Sequence, residues 1–381
     1  MTARDPQRIV LAAGGTGGHM FPAQALAREL LARGLQVALV TDRRGGGFGP
    51  DLAQVETHRI SAGGLAGRGL FGKAANVLRM GLGFLQARGF IKAQRAGVVV
   101  GFGGHPSVPT VLAGANLGSR ILLHEQNAVL GRANRLLAGR ADVLATSFAK
   151  VEGIPETCGA KIRLTGNPVR PAIAALSRRP YAVPDGADTI RLLVTGGSQG
   201  ASVFNDVVPD ALCRLSPGLR ARVQISQQVR GPELERIATS YDACGVRHEL
   251  RAFFDDMPER LAATHLVICR AGASTITELA AAGRPGILVP YPTATDDHQT
   301  ANAQRLAEAG GGWLIPQEAL SASYLAERLS SLLSKPALLA KASNCARAAA
   351  RDDAAQALAD LVCAKGNDHD NTPAEHGEAA A

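Results

Sequence analysis

"IRLLVTGGSQGASVFNDVV", Ile190 to Val208, repeats a pattern already laid down in "IVLAAGGTGGHM", Ile9 to Met20. In both, an apolar run of strand length breaks into paired glycines around Ser or Thr, and a helical pattern follows. Between the two copies the alternation continues through "QVALVT", "GVVVGFG", "RILLHEQ" and "ADVLATS". After the second it runs through "ARVQIS", "HLVICR" and "PGILVPY". Strands alternating with helices make a parallel sheet covered on both faces. The restart at Ile190 reads as a second domain rather than a longer sheet. The predicted fold class is therefore α/β: two Rossmann-like, doubly wound parallel-sheet domains facing a cleft. Their join falls in the Pro-rich, polar "NPVRPAIAALSRRPYAVPDGADT", Asn167 to Thr189, which gives domains of 1–172 and 173–339. A last helix, about 340–364, is expected to pack back on the first domain. The polar tail 365–381 is expected to be disordered. "FPAQALARELLARG", Phe21 to Gly34, is expected as the first helix, with Pro22 in its first turn and Gly34 as its C-terminal cap.

The 381 residues suit two domains. The 46% hydrophobic and 19% charged residues are ordinary for a globular protein, and the 43 glycines fit repeated turns at strand ends. A net charge of +8 favours anionic partners. Four tyrosines and one tryptophan leave few rings for stacking bases, which counts against nucleic acid. The six cysteines form no CxxC pair. They read as free thiols in a reducing compartment, not as a disulfide framework or a zinc site. The N-terminus has no apolar signal segment, and no run reaches the roughly 18 apolar residues of a membrane span, so a cytoplasmic location is expected.

Between Glu56 and Glu125 there is no acidic residue, while Arg59, Arg68, Lys73, Arg79, Arg88, Lys92, Arg95 and Arg120 lie in that interval. Leu78, Leu82 and Leu85 share one helical face there, and packing against the sheet is the expected use of that face. The loop Ser61–Gly72 is equally suited to an anionic lipid surface, where each Lys or Arg contributes about 1 kcal/mol.

Four glycine-rich turns end candidate strands: "GGTGGH" (14–19), "GFGGHPS" (101–107), "GGSQGA" (196–201) and "RAGAST" (270–275). In an open parallel sheet ligands bind at the carboxyl ends of strands, where glycine lets backbone N–H groups approach. "RAGASTITELAAAG" is the most informative. A diphosphate can rest on the N–H groups of Ala273 to Thr275, and Glu278, one turn on, can accept from two ribose hydroxyls. "HEQN" (124–127) and "TDDHQTANA" (295–303) place polar side chains at strand ends, as sugar recognition requires. Arg170 in "TGNPVR" offers a guanidinium to phosphate. Asp255-Asp256 and Asp296-Asp297 are the carboxylates that could hold a metal; none is expected, since backbone N–H groups and Arg can neutralise a leaving diphosphate. His19 closes the first turn at the mouth of the cleft and is the candidate general base.

The ordered series "GGTGGHMFPAQALA", "GFGGHPSVP", "HEQNAVLGRANR", "TGNPVR", "GGSQGAS", "FFDDM" and "CRAGASTITELAAAGRPGILVPYPTATDDHQTANA" resembles bacterial cell-wall glycosyltransferases that add N-acetylglucosamine to undecaprenyl-diphospho-muramoyl-pentapeptide. The resemblance runs from about residue 9 to 315. It implies a GT-B fold and a metal-independent, inverting transfer from UDP-N-acetylglucosamine, with no cofactor. It also implies peripheral attachment at the cytoplasmic face of the inner membrane. The donor contacts it implies are Thr16, Gly17, Gly18, Asn127, Arg170, Ser198, Phe254, Ala273, Ser274, Thr275, Ile276, Thr277, Glu278 and Gln299. Of these, Phe254 is implied to lie beside the uracil, Glu278 to hold the ribose, and Gln299 with Asn127 to read sugar hydroxyls. His105 stands where a tyrosine is usual, and the loop before Gln299 is one residue longer than usual. A sugar-nucleotide epimerase would share the fold and the UDP site. An NAD-dependent oxidoreductase is disfavoured because Met20 breaks G-x-G-x-x-G. A non-catalytic scaffold would leave four ligand-type turns idle.

Overall fold

The computed structural model describes residues 8–14, 17–43, 45, 47–63, 69–197 and 201–364; of 69–74 and 160 it describes the backbone alone. Thr16, Ser198, Arg68, most of the loop 61–72 and the tail 365–381 lie wholly or partly outside the described residues. The first sheet contains β1 (Arg8–Ala12), β2 (Gln36–Thr41), β3 (Glu56–Arg59), β4 (Ala96–Gly101), β5 (Arg120–Glu125), β6 (Val143–Thr146) and β7 (Ile162–Leu164). The second contains β8 (Ile190–Thr195), β9 (Val223–Gln228), β10 (Arg247–Arg251), β11 (Leu266–Cys269), β12 (Gly286–Leu288) and β13 (Gly312–Leu314). Their orders are β3-β2-β1-β4-β5-β6-β7 and β10-β9-β8-β11-β12-β13, with parallel pairing throughout. The chain thus doubles back from β1 to β4 and from β8 to β11, and those reversals are where such sheets open a crevice for ligands.

The central strands are apolar on both faces, as two covering layers demand. Val10 and Leu11 of β1 are both fully buried, on opposite sides of the sheet. In the second domain Leu192 and Leu193 of β8 do the same. The first helix spans Gly17–Ala32, four residues earlier than expected, so Pro22 sits inside it. A proline there removes the bond to the carbonyl four residues back, that of Gly18.

Three expectations differ from what is found. The last helical stretch is two helices, Pro336–Ala348 and Ala354–Cys363. The first puts Leu339 and Ala346 into the second domain's core, and the second puts Leu358, Ala359 and Val362 into the first's. Cys213 and Cys244 are bonded to each other rather than free. They end two neighbouring helices, Ser202–Cys213 and Glu233–Ala243, a proximity that a separation of 31 residues does not reveal. Leu78, Leu82 and Leu85 do not pack on the sheet. They are 77%, 50% and 65% exposed on the helix Gly69–Gln94, whose buried side is formed by Ala87, Phe90 and Ile91.

Candidate functional site

The "GGTGGH" and "GFGGHPS" turns follow β1 and β4, the strands flanking the first reversal, and pack on each other. Gly14 N–H donates to the Gly103 carbonyl at 3.3 Å. A Cβ on Gly104 would lie 2.8 Å from the Gly14 Cα, and Gly104 has φ +77°, so only glycine fits that contact. His19, in the first turn of its helix, lies against both turns and lines a cavity of about 400 Å³. Asn127 lines the same cavity from the end of β5, and Asp296 and His298 line it from the second domain.

Burial lowers the His19 pKa below the usual 6.5, partly offset by its bond to Gln126, by the Glu125 charge and by the Phe102 carbonyl. Its imidazole is therefore neutral at neutral pH and able to take a proton. Glu125 is 2% exposed and acts on His19 through its charge. Its oxygens accept from Asn127 N, Asn127 Nδ2, Gly131 N and Asn134 Nδ2 at 2.8–3.2 Å, so it builds the turn after β5.

In the second domain, the helix Ala273–Ala282 begins at Gly272 without a side-chain cap. Ile276 N–H already bonds to the Gly272 carbonyl, and the first-turn N–H groups of Ala273, Ser274 and Thr275 have no intrahelical acceptor. The Ser274 hydroxyl is buried there with no partner. Ile276 itself is core, and the Thr277 hydroxyl donates to the Ala273 carbonyl and accepts from Asn167. Glu278 carries an ion pair from across the domain join: Arg170 Nε and Nη2 lie 3.0 and 2.9 Å from its Oε1. Burial raises the Glu278 pKa and Arg170 opposes that rise. Arg170 also lies over the Phe21 ring, 5.3 Å from its centroid; Phe21 is two residues on from His19 in the same helix. The two halves of the candidate site therefore meet through Phe21 and Arg170. Arg170, Glu278 and Gln299 do not line the cavity beside His19, which belongs mostly to the first domain.

The remaining positions fare differently. Gly17 and Gly18 open the His19 helix. Gln299 uses its side-chain oxygen on Ala271 N and Tyr291 N, which leaves its NH₂ to face a ligand. Phe254 is 2% exposed in the core under Arg260, so it can offer only backbone; the exposed ring is Phe253, at 63%. Of the four polar residues 124–127, His124 and Gln126 are buried and only Asn127 reaches the surface. Asn302, named in sequence only as part of a polar cluster, is fully buried between the domains. Its Nδ2 donates to Asn127 Oδ1 and the Ala271 carbonyl, and its Oδ1 accepts from Ala128 N. Asp256 and Asp296 bond to Arg260 and Arg132. Among the described residues no group of three or more His, Cys, Asp or Glu is arranged to hold a metal.

Two doubly wound sheets facing a cleft, with a bare helix N-terminus on one wall and a neutral imidazole on the other, have the architecture of GT-B glycosyltransferases. Residues 9–146 match the glycosyltransferase family 28 N-terminal domain and residues 191–358 the family 28 C-terminal domain. The chain belongs to glycosyltransferase family 28. It is 54% identical, over 94% of its length and 92% of the relative's, to the UDP-N-acetylglucosamine--N-acetylmuramyl-(pentapeptide) pyrophosphoryl-undecaprenol N-acetylglucosamine transferase of Rhodospirillum rubrum. It is 48% identical to the transferase of that name from Granulibacter bethesdensis, over 93% and 92% of the two chains. The crystal structure of Acinetobacter baumannii MurG superposes with a TM-score of 0.77 at 29% identity, covering 94% of this chain and 99% of that one. A Neisseria meningitidis UDP-GlcNAc 2-epimerase superposes at 0.64 with 11% identity over 92% and 98%, a likeness of fold alone.

Proposed function

We infer that this protein transfers N-acetylglucosamine from UDP-N-acetylglucosamine to undecaprenyl-diphospho-muramoyl-pentapeptide, inverting the anomeric carbon and forming the lipid-linked disaccharide of peptidoglycan. The observation that carries this reading is the pairing across one cleft of neutral His19 with the unsatisfied first turn of the helix Ala273–Ala282. The names of the relatives supply the substrates. Residues 1–172 take the acceptor, whose sugar enters the cavity beside His19. Residues 173–339 take the donor.

The acceptor hydroxyl attacks the anomeric carbon, its proton passes to His19, and the bond to UDP breaks. The leaving diphosphate rests on the N–H groups of Ala273, Ser274 and Thr275 and on Arg170. The ribose hydroxyls donate to Glu278. Donor binding therefore exchanges the Arg170–Glu278 ion pair for two bonds to the nucleotide. Gln299 donates to the sugar, beside Asn127. The Phe254 backbone meets the uracil, and the exposed Phe253 ring is free to cover it. No step needs a metal or cofactor. Thr16 and Ser198, outside the described residues, are further donor contacts in this reading. The exposed Val77, Leu78, Leu82 and Leu85, with Arg79, Arg88 and Lys92, seat the protein peripherally on the anionic cytoplasmic leaflet. Among the described residues no helix is long and apolar enough to cross a membrane.

The test is transfer of labelled N-acetylglucosamine to a lipid-linked acceptor, with NMR of the donor alone as control. Transfer is expected, and His19→Ala is expected to cut kcat by about 10² or more while UDP still binds. Epimerised donor without transfer would overturn the assignment. Near wild-type turnover of the variant would remove His19 as base.

A further inference from the structure

Behind His19 the buried polar groups stand in line. Its Nδ1 is 3.1 Å from Gln126 Oε1. Gln126 Nε2 is 3.0 Å from His124 Nδ1 and 3.0 Å from the His124 carbonyl oxygen. His124 Nε2 is 3.0 Å from the Gly166 carbonyl oxygen. Gln126 is 2% exposed and His124 fully buried, so water cannot substitute for a missing partner.

We propose that Gln126 and His124 are positioning residues that fix His19 as its Nδ1–H tautomer and so leave Nε2 unprotonated for the reaction. The proposal rests on the reading of His19 as general base.

The direction of every bond follows from chemistry. The Gly166 carbonyl only accepts, so His124 Nε2 carries a proton. Burial lowers the His124 pKa to about 4, so the ring is neutral and its Nδ1 is a bare acceptor. The Gln126 amide faces two acceptors on that side, the His124 Nδ1 and the His124 carbonyl. Only its NH₂ can lie there; a flipped amide would set oxygen against both. Oε1 therefore points at His19, and an amide oxygen only accepts. His19 Nδ1 must carry the proton. A neutral imidazole has one N–H, so Nε2 keeps its lone pair. A hydrogen bond at one ring nitrogen thus decides which nitrogen acts as the base.

The Thr165 hydroxyl also donates to the Gly166 carbonyl, at 3.0 Å, which holds the far end of the line in place. The charged or titratable groups that act on His19 are Glu125, which favours its protonation, and His298, which opposes it. Neither donates or accepts at Nδ1 in place of Gln126.

The full chain labelled with ¹⁵N-histidine, with His19→Asn to assign the signal, reports the tautomer directly by long-range ¹H–¹⁵N correlation at neutral pH. An Nδ1–H signal for His19 is expected; Nε2–H in the wild-type protein overturns the proposal without any variant of the relay. Gln126→Leu should show an Nε2–H fraction and lose at least tenfold in kcat, with UDP affinity within twofold. A Gln126→Leu protein that keeps both tautomer and kcat also overturns it. If the tautomer is as stated but His19→Asn still turns over, the relay stands and the base assignment falls.

Discussion

Glu278 shows how one residue can be legible in its place and illegible in its state. Its place one turn into a Gly-capped helix is visible in sequence; its ion pair with Arg170, 108 residues away, is not. A carboxylate that accepts from two ribose hydroxyls contributes about 1.5–3 kcal/mol through a charged hydrogen bond. Glu278→Gln should therefore weaken UDP roughly 10- to 100-fold and weaken 2′-deoxy-UDP much less. Isothermal titration with both nucleotides checks this, and an equal loss for the two would deny Glu278 the ribose. His124 was read in sequence as one of four sugar-facing residues, yet it is buried, because strand alternation and the turn after β5 cannot be separated by pattern alone. Its burial has a stability consequence. Its folded pKa of about 4 lies below the unfolded value of about 6.5. Above pH 6.5 neither state binds the proton. Between 6.5 and 4 the unfolded chain binds one that the folded chain refuses, so stability falls as pH falls, by up to about 3 kcal/mol, and levels off below 4. Unfolding free energies from urea titrations at pH 7.5 and 4.5 should differ less in His124→Asn than in wild type by about that amount; equal pH dependence would show that the buried imidazole does not contribute.

Among the elements, the central strands were readable and the edges were not. β1, β2, β4, β5, β8 and β11 are near-continuous apolar runs because both faces are covered. β3 ("ETHR"), β10 ("RHELR") and β7 ("IRL") lie at sheet edges, where charge blocks pairing with other chains and also erases the strand signal. Phe253 and Phe254, just beyond β10, illustrate the same limit: adjacent identical residues point to opposite sides, and sequence cannot say which is the core. The helix Gly69–Gln94 was misjudged for a related reason. Its Leu78, Leu82 and Leu85 keep the spacing of a core face but occupy the outward one. An exposed apolar stripe beside Arg79, Arg88 and Lys92, on a helix without acidic residues, suits an anionic bilayer. Leu78→Ser with Leu82→Ser and Leu85→Ser, or Glu in place of the three cations, should release the protein from phosphatidylglycerol vesicles in a sedimentation assay. Turnover of a water-soluble acceptor analogue should stay near wild type. Binding retained by both triple variants would locate the membrane contact elsewhere.

At the scale of the whole molecule, the restart at Ile190 announced two domains but carried nothing about how they meet. Among the described residues the polar contacts between them include Asn302 with Asn127 and Ala128; Arg170 with Glu278; Asn167 with Thr277; Arg132 with Asp296; and Arg305 with Glu152. Their burial ranks them. Arg132 is 60% exposed and Glu152 54%, and ion pairs of that kind contribute about 0–1 kcal/mol. In the proposed donor complex the Arg170–Glu278 pair opens. Asn302 is fully buried, and truncating it strands the Ala128 N–H of the facing domain at a cost of about 1–3 kcal/mol while the cleft stays closed. Opening the cleft gives that N–H to water, so this penalty falls on the closed state alone. Asn302→Ala should therefore shift the ratio of closed to open molecules roughly 5- to 150-fold toward open, taking 1–3 kcal/mol as the difference. Small-angle scattering should show a larger radius of gyration without ligand and a return toward the wild-type value at saturating UDP-N-acetylglucosamine. The donor KM should rise with kcat little changed, since the chemical groups are untouched and bound donor restores their approach. Arg132→Ala, which removes only an exposed pair, should do neither. Scattering from Asn302→Ala identical to wild type, in a protein that still unfolds cooperatively, would show that the nucleotide contacts alone hold the domains together.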